Sequence, residues 1–332
     1  MSQILILGGG SAGIMVAARL RNELSMDEAS ITIVEPSDKH YYQAGFTLVA
    51  LGLDEPEYLV RPMEKVIPAG CTFIKDEVSN IIPDSNYIET KGGKRLEYDH
   101  LILATGTKLS FSEVEGLTEN LGKDGVHTFY TLEGAIALRK VIDEFEEGNF
   151  VVAQPPMPFK CPGAPIKLAL MVDDLFRRKG IRNKANVTLT TALPSVFTRE
   201  PYATKLNQLF ESRNINVMPG FNPGKVDVEN RVIKSWEGKE VPYDVGVVIP
   251  PNEGEPFYED MPIVDASNFV KADKHRLVQE GFDNIYAIGD CANYPTSKTA
   301  SGARKQAEVL ANNLVAKLRG REPRHTYSGH II

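Results

Sequence analysis

Short apolar runs alternate with amphipathic stretches along this chain, and glycine, proline or polar residues separate them. The run Ile4–Leu7 is continuously apolar, which is typical of a strand buried on both faces of a parallel sheet. A glycine-rich turn over residues 8–13 comes next, then helical periodicity over Ile14–Leu24 and a second apolar run, Ile31–Val34. This order predicts a βαβ unit at the start of the chain.

The same alternation predicts further elements. Strands are expected at Leu101–Ala104, Asn149–Ala153, Asn186–Thr191, Ile215–Met218, Val245–Ile249 and Ile285–Ile288. Helices are expected at Thr131–Glu147, Ile166–Lys179 and Tyr202–Ser212, and a last helix follows Asp290 and ends at about Leu318. Alternation over Val226–Val241 around the turn Trp236–Lys239 predicts a hairpin. We therefore predict an α/β fold with two Rossmann-like dinucleotide-binding domains, the second inserted into the first. The first domain is expected to comprise residues 1–108 and 245–332, and the inserted domain residues 109–244.

Composition excludes several classes of function. The formal net charge of −7 and the lack of a long basic run argue against binding to nucleic acid. No stretch reaches 18 apolar residues, so no membrane span is expected within this sequence. No signal-peptide pattern precedes Ile4, and the three cysteines show no disulfide framework or zinc spacing. The six histidines show no metal spacing either, and we expect a cytoplasmic protein without a metal.

Residues 8–13 fit the dinucleotide fingerprint G-x-G-x-x-G. Gly8 permits the tight turn, Gly10 lets the backbone approach a pyrophosphate, and Gly13 lets the helix pack against the sheet. Glu35 follows Gly13 by 22 positions at the end of the next strand, where an acidic side chain binds ribose hydroxyls.

The inserted domain lacks a second fingerprint of this kind. The residues after the strand Asn149–Ala153 are Gln154–Pro158, and no glycine occurs until Gly163. Prolines remove the backbone N–H donors that a phosphate-binding turn needs. We infer that a nicotinamide nucleotide is not the electron donor.

Two later segments resemble the motifs of two-domain flavoproteins. Leu103-Ala104-Thr105-Gly106 is similar to their ATG motif, and Ile285–Asp290, which includes Gly289, is similar to their second FAD motif. The resemblance implies that Asp290 binds the ribityl chain of FAD. The following helix N-terminus and Lys298 would stabilise negative charge on a reduced flavin.

The run Phe159–Lys167 resembles the substrate-cysteine loop of sulfide:quinone oxidoreductases, in the branch that includes the mitochondrial enzymes. The segments Ile33–Ser37 with Tyr41–Gln43, Gly289–Ala300 and Pro323–Gly329 are similar to other parts of that family. The resemblance implies two-electron oxidation of sulfide to a persulfide on Cys161, with FAD passing the electrons to a membrane quinone. It also assigns FAD-contacting positions to Ser11, Ala12, Glu35, Gln43, Val78, Asp290 and Ala300.

The residues around Cys161 support the same role independently. It lies at a predicted helix start beside Lys160, and both features lower the pKa of a thiol and favour the nucleophilic thiolate. The alternative is a small apolar core residue, which is how we interpret Cys71 and Cys291.

The resemblance further implies a second redox cysteine just after Ile332, where the sequence ends, and a C-terminal segment for quinone and peripheral membrane contact that these residues do not contain. A thiol or sulfite as sulfur acceptor, contact with the cytoplasmic face of a membrane, and a homo-oligomer are left open.

Three other functions also stay open. The first is a flavoprotein subunit of a sulfide dehydrogenase that reduces a cytochrome. The second is an NADH:quinone oxidoreductase, which the missing second fingerprint disfavours. The third is a flavin-binding protein without catalysis, because fold alone does not fix function.

Overall fold

The computed structural model describes residues 1–331, and Ile332, the last residue of the third predicted segment, lies outside the described residues. The strands are, in chain order, β1 (Ser2–Leu7), β2 (Ala29–Glu35), β3 (Lys39–Tyr41), β4 (Val60–Pro62), β5 (Thr72–Lys75), β6 (Val78–Ile82), β7 (Tyr87–Thr90), β8 (Arg95–Glu97), β9 (His100–Leu103), β10 (Lys108–Leu109), β11 (Val126–His127), β12 (Gly148–Ala153), β13 (Ala185–Thr191), β14 (Asn216–Pro219), β15 (Pro223–Asp227), β16 (Val232–Ser235), β17 (Glu240–Pro242), β18 (Val245–Val248), β19 (Asn252–Glu253) and β20 (Ile285–Ala287). The helices are α1 (Ser11–Glu23), α2 (Phe46–Ala50), α3 (Met63–Val66), α4 (Leu117–Asn120), α5 (Leu132–Glu144), α6 (Gly163–Arg178), α7 (Tyr202–Ser212) and α8 (Ala300–Leu318).

The chain divides into two compact units. Unit 1 comprises residues 1–41, 60–108 and the chain from Glu253 onwards, and unit 2 comprises residues 42–59 and 109–252. Each unit contains a five-stranded parallel sheet with helices, so the predicted fold class of two Rossmann-like domains, the second inserted into the first, is confirmed.

Unit 1 is built on the sheet β20-β9-β1-β2-β5, in which every pairing is parallel. Its core is formed by the buried residues of these strands together with α1 and α8, which pack against each other. Two small antiparallel sheets, β3-β4 and β6-β7-β8, complete the unit. The hydrophobic pattern did not predict these, because their strands have only three to five residues and are largely half-exposed.

Unit 2 is built on the parallel sheet β11-β18-β12-β13-β14. Phe145, Phe150 and Phe176 interlock beside it, with ring centroids 4.7–5.9 Å apart. The predicted hairpin corresponds to β16 and β17, and β15 pairs with β16 to form a third strand.

The division into units differs from the predicted segments at two places. Residues 42–59 belong to unit 2, since α2 packs against α5 and α6, and Arg139 donates two hydrogen bonds of 3.0 and 3.3 Å to the Glu55 carboxylate. Unit 2 also continues to Asn252, eight residues beyond the predicted boundary at 244. The hydrophobic pattern of the sequence could not show either difference, because the unit to which a short segment belongs is set by the residues that it packs against.

Candidate active site

Several predicted motifs meet at one edge of the unit 1 sheet. Leu7 is the register partner of both Val34 and Leu103, and Ala287 is the partner of Leu103. The four strands therefore end side by side, and the segments that leave them begin at their common carboxyl edge. Ligands bind at this edge in parallel α/β sheets.

The glycine turn after β1 has the packing that its sequence predicts. Gly8 has φ +108°, and a Cβ there would lie 2.3 Å from the Ala104 carbonyl oxygen. A Cβ on Gly13 would lie 1.9 Å from the carbonyl oxygen of Gly8. Among residues 1–331, by contrast, nothing lies within 4 Å of the Cβ position of Gly10, and no side chain caps the N-terminus of α1. The turn thus leaves space and uncapped backbone N–H groups where an anion binds.

Glu35 ends β2 and binds back to this turn. Its Oε2 accepts a hydrogen bond from the Gly9 N–H at 2.7 Å, and its Oε1 accepts one from the Ser37 N–H at 2.9 Å. A carboxylate has about four acceptor positions, so capacity for two ribose hydroxyls remains.

The third motif adjoins the first. Gly289 has φ +74°, and a Cβ there would lie 2.9 Å from the Ala12 Cβ. Its N–H donates to Gln306 Oε1 on α8 at 2.7 Å. Asp290 and Lys298 line a cavity that this segment forms with the start of α8.

Lys298 is almost fully buried, with 6% of its surface exposed. Its ammonium donates to the carbonyl oxygens of Asp290 (2.6 Å) and Ala292 (2.8 Å) and lies 3.9 Å from the Phe269 ring centroid. Burial lowers the pKa of Lys298, and the negative charge of Asp290 partly opposes that change. Lys298 therefore holds the loop of the third motif and places a positive charge inside it.

The remaining predicted cofactor positions do not all lie in the same unit. Val78 begins β6, Gly106 lies beyond β9 with φ +79°, and exposed Ala300 begins α8, all in unit 1. Gln43 lies in unit 2, where its Oε1 accepts a hydrogen bond from the Lys160 ammonium at 2.7 Å. The structure thus groups all these cofactor positions except Gln43 in one unit.

Cys161 lies in the loop between β12 and α6 of unit 2, where a nucleotide-binding domain carries its glycine turn. It is half-buried, and its φ of +50° is in the left-handed region that residues other than glycine rarely adopt. Only Pro162 separates it from α6, whose N-terminus has no side-chain cap within the described part of the chain.

Residues that come after neighbouring strands of unit 2 hold this loop. Tyr130, beyond β11, donates to the carbonyl oxygens of Lys160 (3.0 Å) and Cys161 (3.2 Å). Asn252, beyond β18, accepts a hydrogen bond from the Lys160 N–H at 2.9 Å. Sequence reasoning missed both residues. The sequence signal that could have found them is their position after β11 and β18. The carboxyl ends of these two strands lie at the same edge of the sheet as the end of β12.

The other two cysteines have different surroundings. Cys291 has no exposed surface, its Sγ donates to the carbonyl oxygens of Leu103 and Ile288 at 3.3 Å, and burial raises its pKa to about 11. Cys71 is half-buried, and burial raises its pKa as well. Both environments favour the protonated, unreactive thiol.

Comparison with known proteins decides the family. The chain is 33% identical to the mitochondrial sulfide:quinone oxidoreductase of Mus musculus and 35% identical to that of Dictyostelium discoideum. Each alignment covers 99% of this chain and 74% of the relative. The chain belongs to the sulfide:quinone oxidoreductase family. It is therefore a flavin-dependent oxidoreductase, as the sequence motifs indicated.

A solved structure and two family models agree with this assignment. The crystal structure of the sulfide:quinone oxidoreductase of Aquifex aeolicus matches with a TM-score of 0.83 at 25% identity, over 96% of this chain and 78% of that one. Residues 2–152 match the pyridine nucleotide-disulphide oxidoreductase family. Residues 135–250 match the central region of the sulfide dehydrogenase (flavocytochrome c) flavoprotein chain.

The carboxyl edge of unit 1 fits a flavin nucleotide. The open position at Gly10, the uncapped N-terminus of α1 and the carboxylate of Glu35 supply the anion-binding and ribose-binding groups that such a cofactor needs. As for the membrane, no helix within residues 1–331 is long and apolar enough to cross one.

Proposed function

We propose that this protein oxidises sulfide by two electrons, with Cys161 carrying the sulfur, FAD as the electron acceptor and a membrane quinone as the final oxidant. In the net reaction, the Cys161 thiolate and hydrosulfide lose two electrons and one proton and form a persulfide. The quinone gains two electrons and two protons. Bound FAD supplies the two-electron redox chemistry between these half-reactions.

Cofactor binding is proposed for a defined set of residues in unit 1. Gly8, Gly10 and Gly13 shape the turn for the pyrophosphate, and Glu35 binds the adenosine ribose. The other proposed contacts are Ser11, Ala12, Val78, Ala104, Gly106, Gly289, Asp290, Lys298 and Ala300. Gln43 is proposed as a cofactor contact on the family resemblance alone, because it lies in unit 2 with Lys160 as its partner.

The observation that carries the proposal is the loop after β12. Where a nicotinamide-binding domain needs glycines, this loop has prolines at positions 155, 156, 158 and 162 and a cysteine at position 161. Lys160 precedes the cysteine in sequence and α6 begins two residues after it, and the positive charge of a lysine and of a helix N-terminus favours a thiolate. The loop therefore suits a nucleophilic sulfur carrier and does not suit a pyrophosphate.

Partners and location are inferred from the same chemistry. A quinone dissolves in the bilayer, so we propose peripheral contact with the cytoplasmic face of a membrane. A thiol or sulfite would then remove the outer sulfur of the persulfide by nucleophilic attack and regenerate the Cys161 thiolate.

Anaerobic reduction of the FAD-loaded protein tests the proposal. We expect sulfide, and not NADH, to bleach the oxidised-flavin absorbance, and Cys161→Ser to slow this bleaching strongly. Cys71→Ser is the matched control and should bleach at the wild-type rate. Bleaching by NADH with sulfide inert would instead establish an NADH:quinone oxidoreductase. Reoxidation by cytochrome c but not by a soluble quinone would establish a sulfide dehydrogenase subunit.

A further inference from the structure

The backbone at Cys161 needs external support. At φ +50°, the Cβ of an L-residue crowds its own backbone, so this conformation persists only where surrounding contacts hold it. The residue after it is Pro162, and the Ala164 N–H donates to the Cys161 carbonyl oxygen at 2.8 Å. That hydrogen bond fixes the turn on its C-terminal side only.

The Tyr130 side chain contacts the backbone on both sides of Cys161. One hydroxyl lies within hydrogen-bonding distance of two consecutive carbonyl oxygens, those of Lys160 at 3.0 Å and Cys161 at 3.2 Å. These oxygens belong to the peptide groups before and after Cys161. An anchor shared by both groups restricts rotation about the two backbone bonds of Cys161, which are the bonds that define its left-handed conformation.

Tyr130 is itself well fixed. Its side chain is 6% exposed and packs edge-on against Phe129, with ring centroids 5.0 Å apart, and against Phe159 at 6.5 Å. Asn252 holds the same loop from a second direction, because its Oδ1 accepts from the Lys160 N–H and its Nδ2 donates to the Pro250 carbonyl oxygen at 3.0 Å. The backbone N–H and the backbone carbonyl oxygen of Lys160 are therefore both bound to buried polar side chains.

We propose that Tyr130 is a positioning residue for sulfide oxidation, whose hydroxyl keeps Cys161 in the left-handed conformation at the N-terminus of α6. This inference rests on the proposed role of Cys161 as the sulfur carrier. Two carbonyl oxygens bound to Tyr130 are kept from turning towards the sulfur, where they would disfavour a thiolate. The N-terminus of α6, which is the positive end of the helix dipole, then favours the charged form.

The test compares Tyr130→Phe with a matched control, Tyr243→Phe, in the FAD-loaded protein. Tyr243 is also buried in unit 2, but its hydroxyl has no hydrogen-bond partner among the described residues. The rate at which iodoacetamide alkylates Cys161 is followed by mass spectrometry across a range of pH, well below the melting temperature of each variant. We expect alkylation of Tyr130→Phe to be about tenfold slower at neutral pH, with its midpoint displaced to higher pH, and Tyr243→Phe to match the wild type.

Two outcomes would overturn the inference. The first is a wild-type alkylation rate and midpoint in Tyr130→Phe. The second is an equal change in Tyr243→Phe, which would indicate a general response to the loss of a buried hydroxyl. A merely structural role would lower the melting temperature without moving the pH midpoint, so the midpoint separates the two roles even if Tyr130→Phe is less stable.

Failure of the proposed function would look different. Alkylation uses neither sulfide nor the flavin, so it reports on the thiol alone. If sulfide bleaches the flavin of Cys161→Ser at an unchanged rate, the sulfur-carrier role of Cys161 is overturned. The positioning role of Tyr130 in sulfide oxidation is then overturned with it. Normal alkylation of Tyr130→Phe together with slow bleaching of Cys161→Ser would overturn the positioning role only.

Discussion

Glu35 Oε2 accepts a hydrogen bond of 2.7 Å from the backbone N–H of Gly9. The end of the second strand is thereby fixed to the glycine turn beyond the first. The proposed ribose-binding carboxylate and the proposed pyrophosphate-binding turn are thus joined by a direct hydrogen bond.

We expect Glu35→Gln to bind FAD about tenfold more weakly than the wild type. The variant loses the charged acceptor for a ribose hydroxyl, and a hydrogen bond to a charged group contributes roughly 1.5–3 kcal/mol. Fluorescence titration of the apoprotein with FAD measures the dissociation constant. Glu64→Gln changes an exposed glutamate of the same unit and should leave the constant unchanged. Equal affinity in Glu35→Gln and wild type would contradict the assignment.

The glycines of the first motif should respond differently to alanine. Gly13→Ala places a Cβ 1.9 Å from a backbone oxygen and should destabilise the apoprotein by roughly 1–3 kcal/mol. Gly10→Ala places a Cβ that meets no atom of the described residues within 4 Å, and this variant should fold normally but bind FAD weakly. Urea unfolding of the apoprotein and FAD titration separate the two effects. The interpretation of Gly10 fails if its alanine variant binds FAD as tightly as the wild type.

Cys161 and Cys291 should differ in reactivity towards iodoacetamide in the native protein. Cys161 is half-buried at a helix N-terminus, whereas Cys291 is fully buried with its pKa raised by burial to about 11. We expect rapid labelling of Cys161 and labelling of Cys291 only after denaturation, as measured by peptide mass spectrometry. Native labelling of Cys291 ahead of Cys161 would be inconsistent with the structure.

His100 should make unit 1 sensitive to acid. Burial and the positive charge of Lys317 lower its pKa to about 4, while the charge of Asp99 opposes them. Between pH 6.5 and 4 the unfolded chain therefore binds a proton that the folded one does not. Stability falls as the pH falls through this window, by about 3 kcal/mol at most.

Urea unfolding at pH 7 and at pH 4.5 checks this prediction. His100→Asn should reduce the loss of stability between the two pH values. The control His330→Asn removes an exposed histidine and should keep the wild-type dependence. An unchanged pH dependence in His100→Asn would show that other groups cause the acid sensitivity.

Asp173 should be important for the stability of unit 2. Its carboxylate has no exposed surface, and the guanidinium groups of Arg177, Arg182 and Arg213 all donate to it. Burial alone would raise its pKa, but these hydrogen bonds outweigh burial and lower it. Asp173→Asn leaves the cluster with uncompensated charge and should destabilise the protein by roughly 3 kcal/mol.

Thermal or urea unfolding measures this effect. The neighbouring Asp174→Asn is the control, because Asp174 is about half exposed and its ion pairs contribute little. Equal stability of Asp173→Asn and wild type would show that the buried cluster contributes no net stabilisation.

The α/β class, the parallel sheets and the glycine turn were all predictable from the amino-acid sequence alone. These features depend on local rules, since a buried parallel strand must be apolar along its length and a turn at Gly8 needs a left-handed residue. A reactive thiol at Cys161 stays a prediction of the sequence, which rests on the charge of a neighbouring lysine and of a helix start.

Which distant residues serve those motifs depended on the tertiary structure. Residues 42–59 join unit 2 because α2 has its packing partners there, and no pattern within the segment shows that. Tyr130 and Asn252 reach the Cys161 loop because they come after neighbouring strands of one parallel sheet. Strand order is set by long-range pairing, so residues far apart in sequence become neighbours only when the sheet forms.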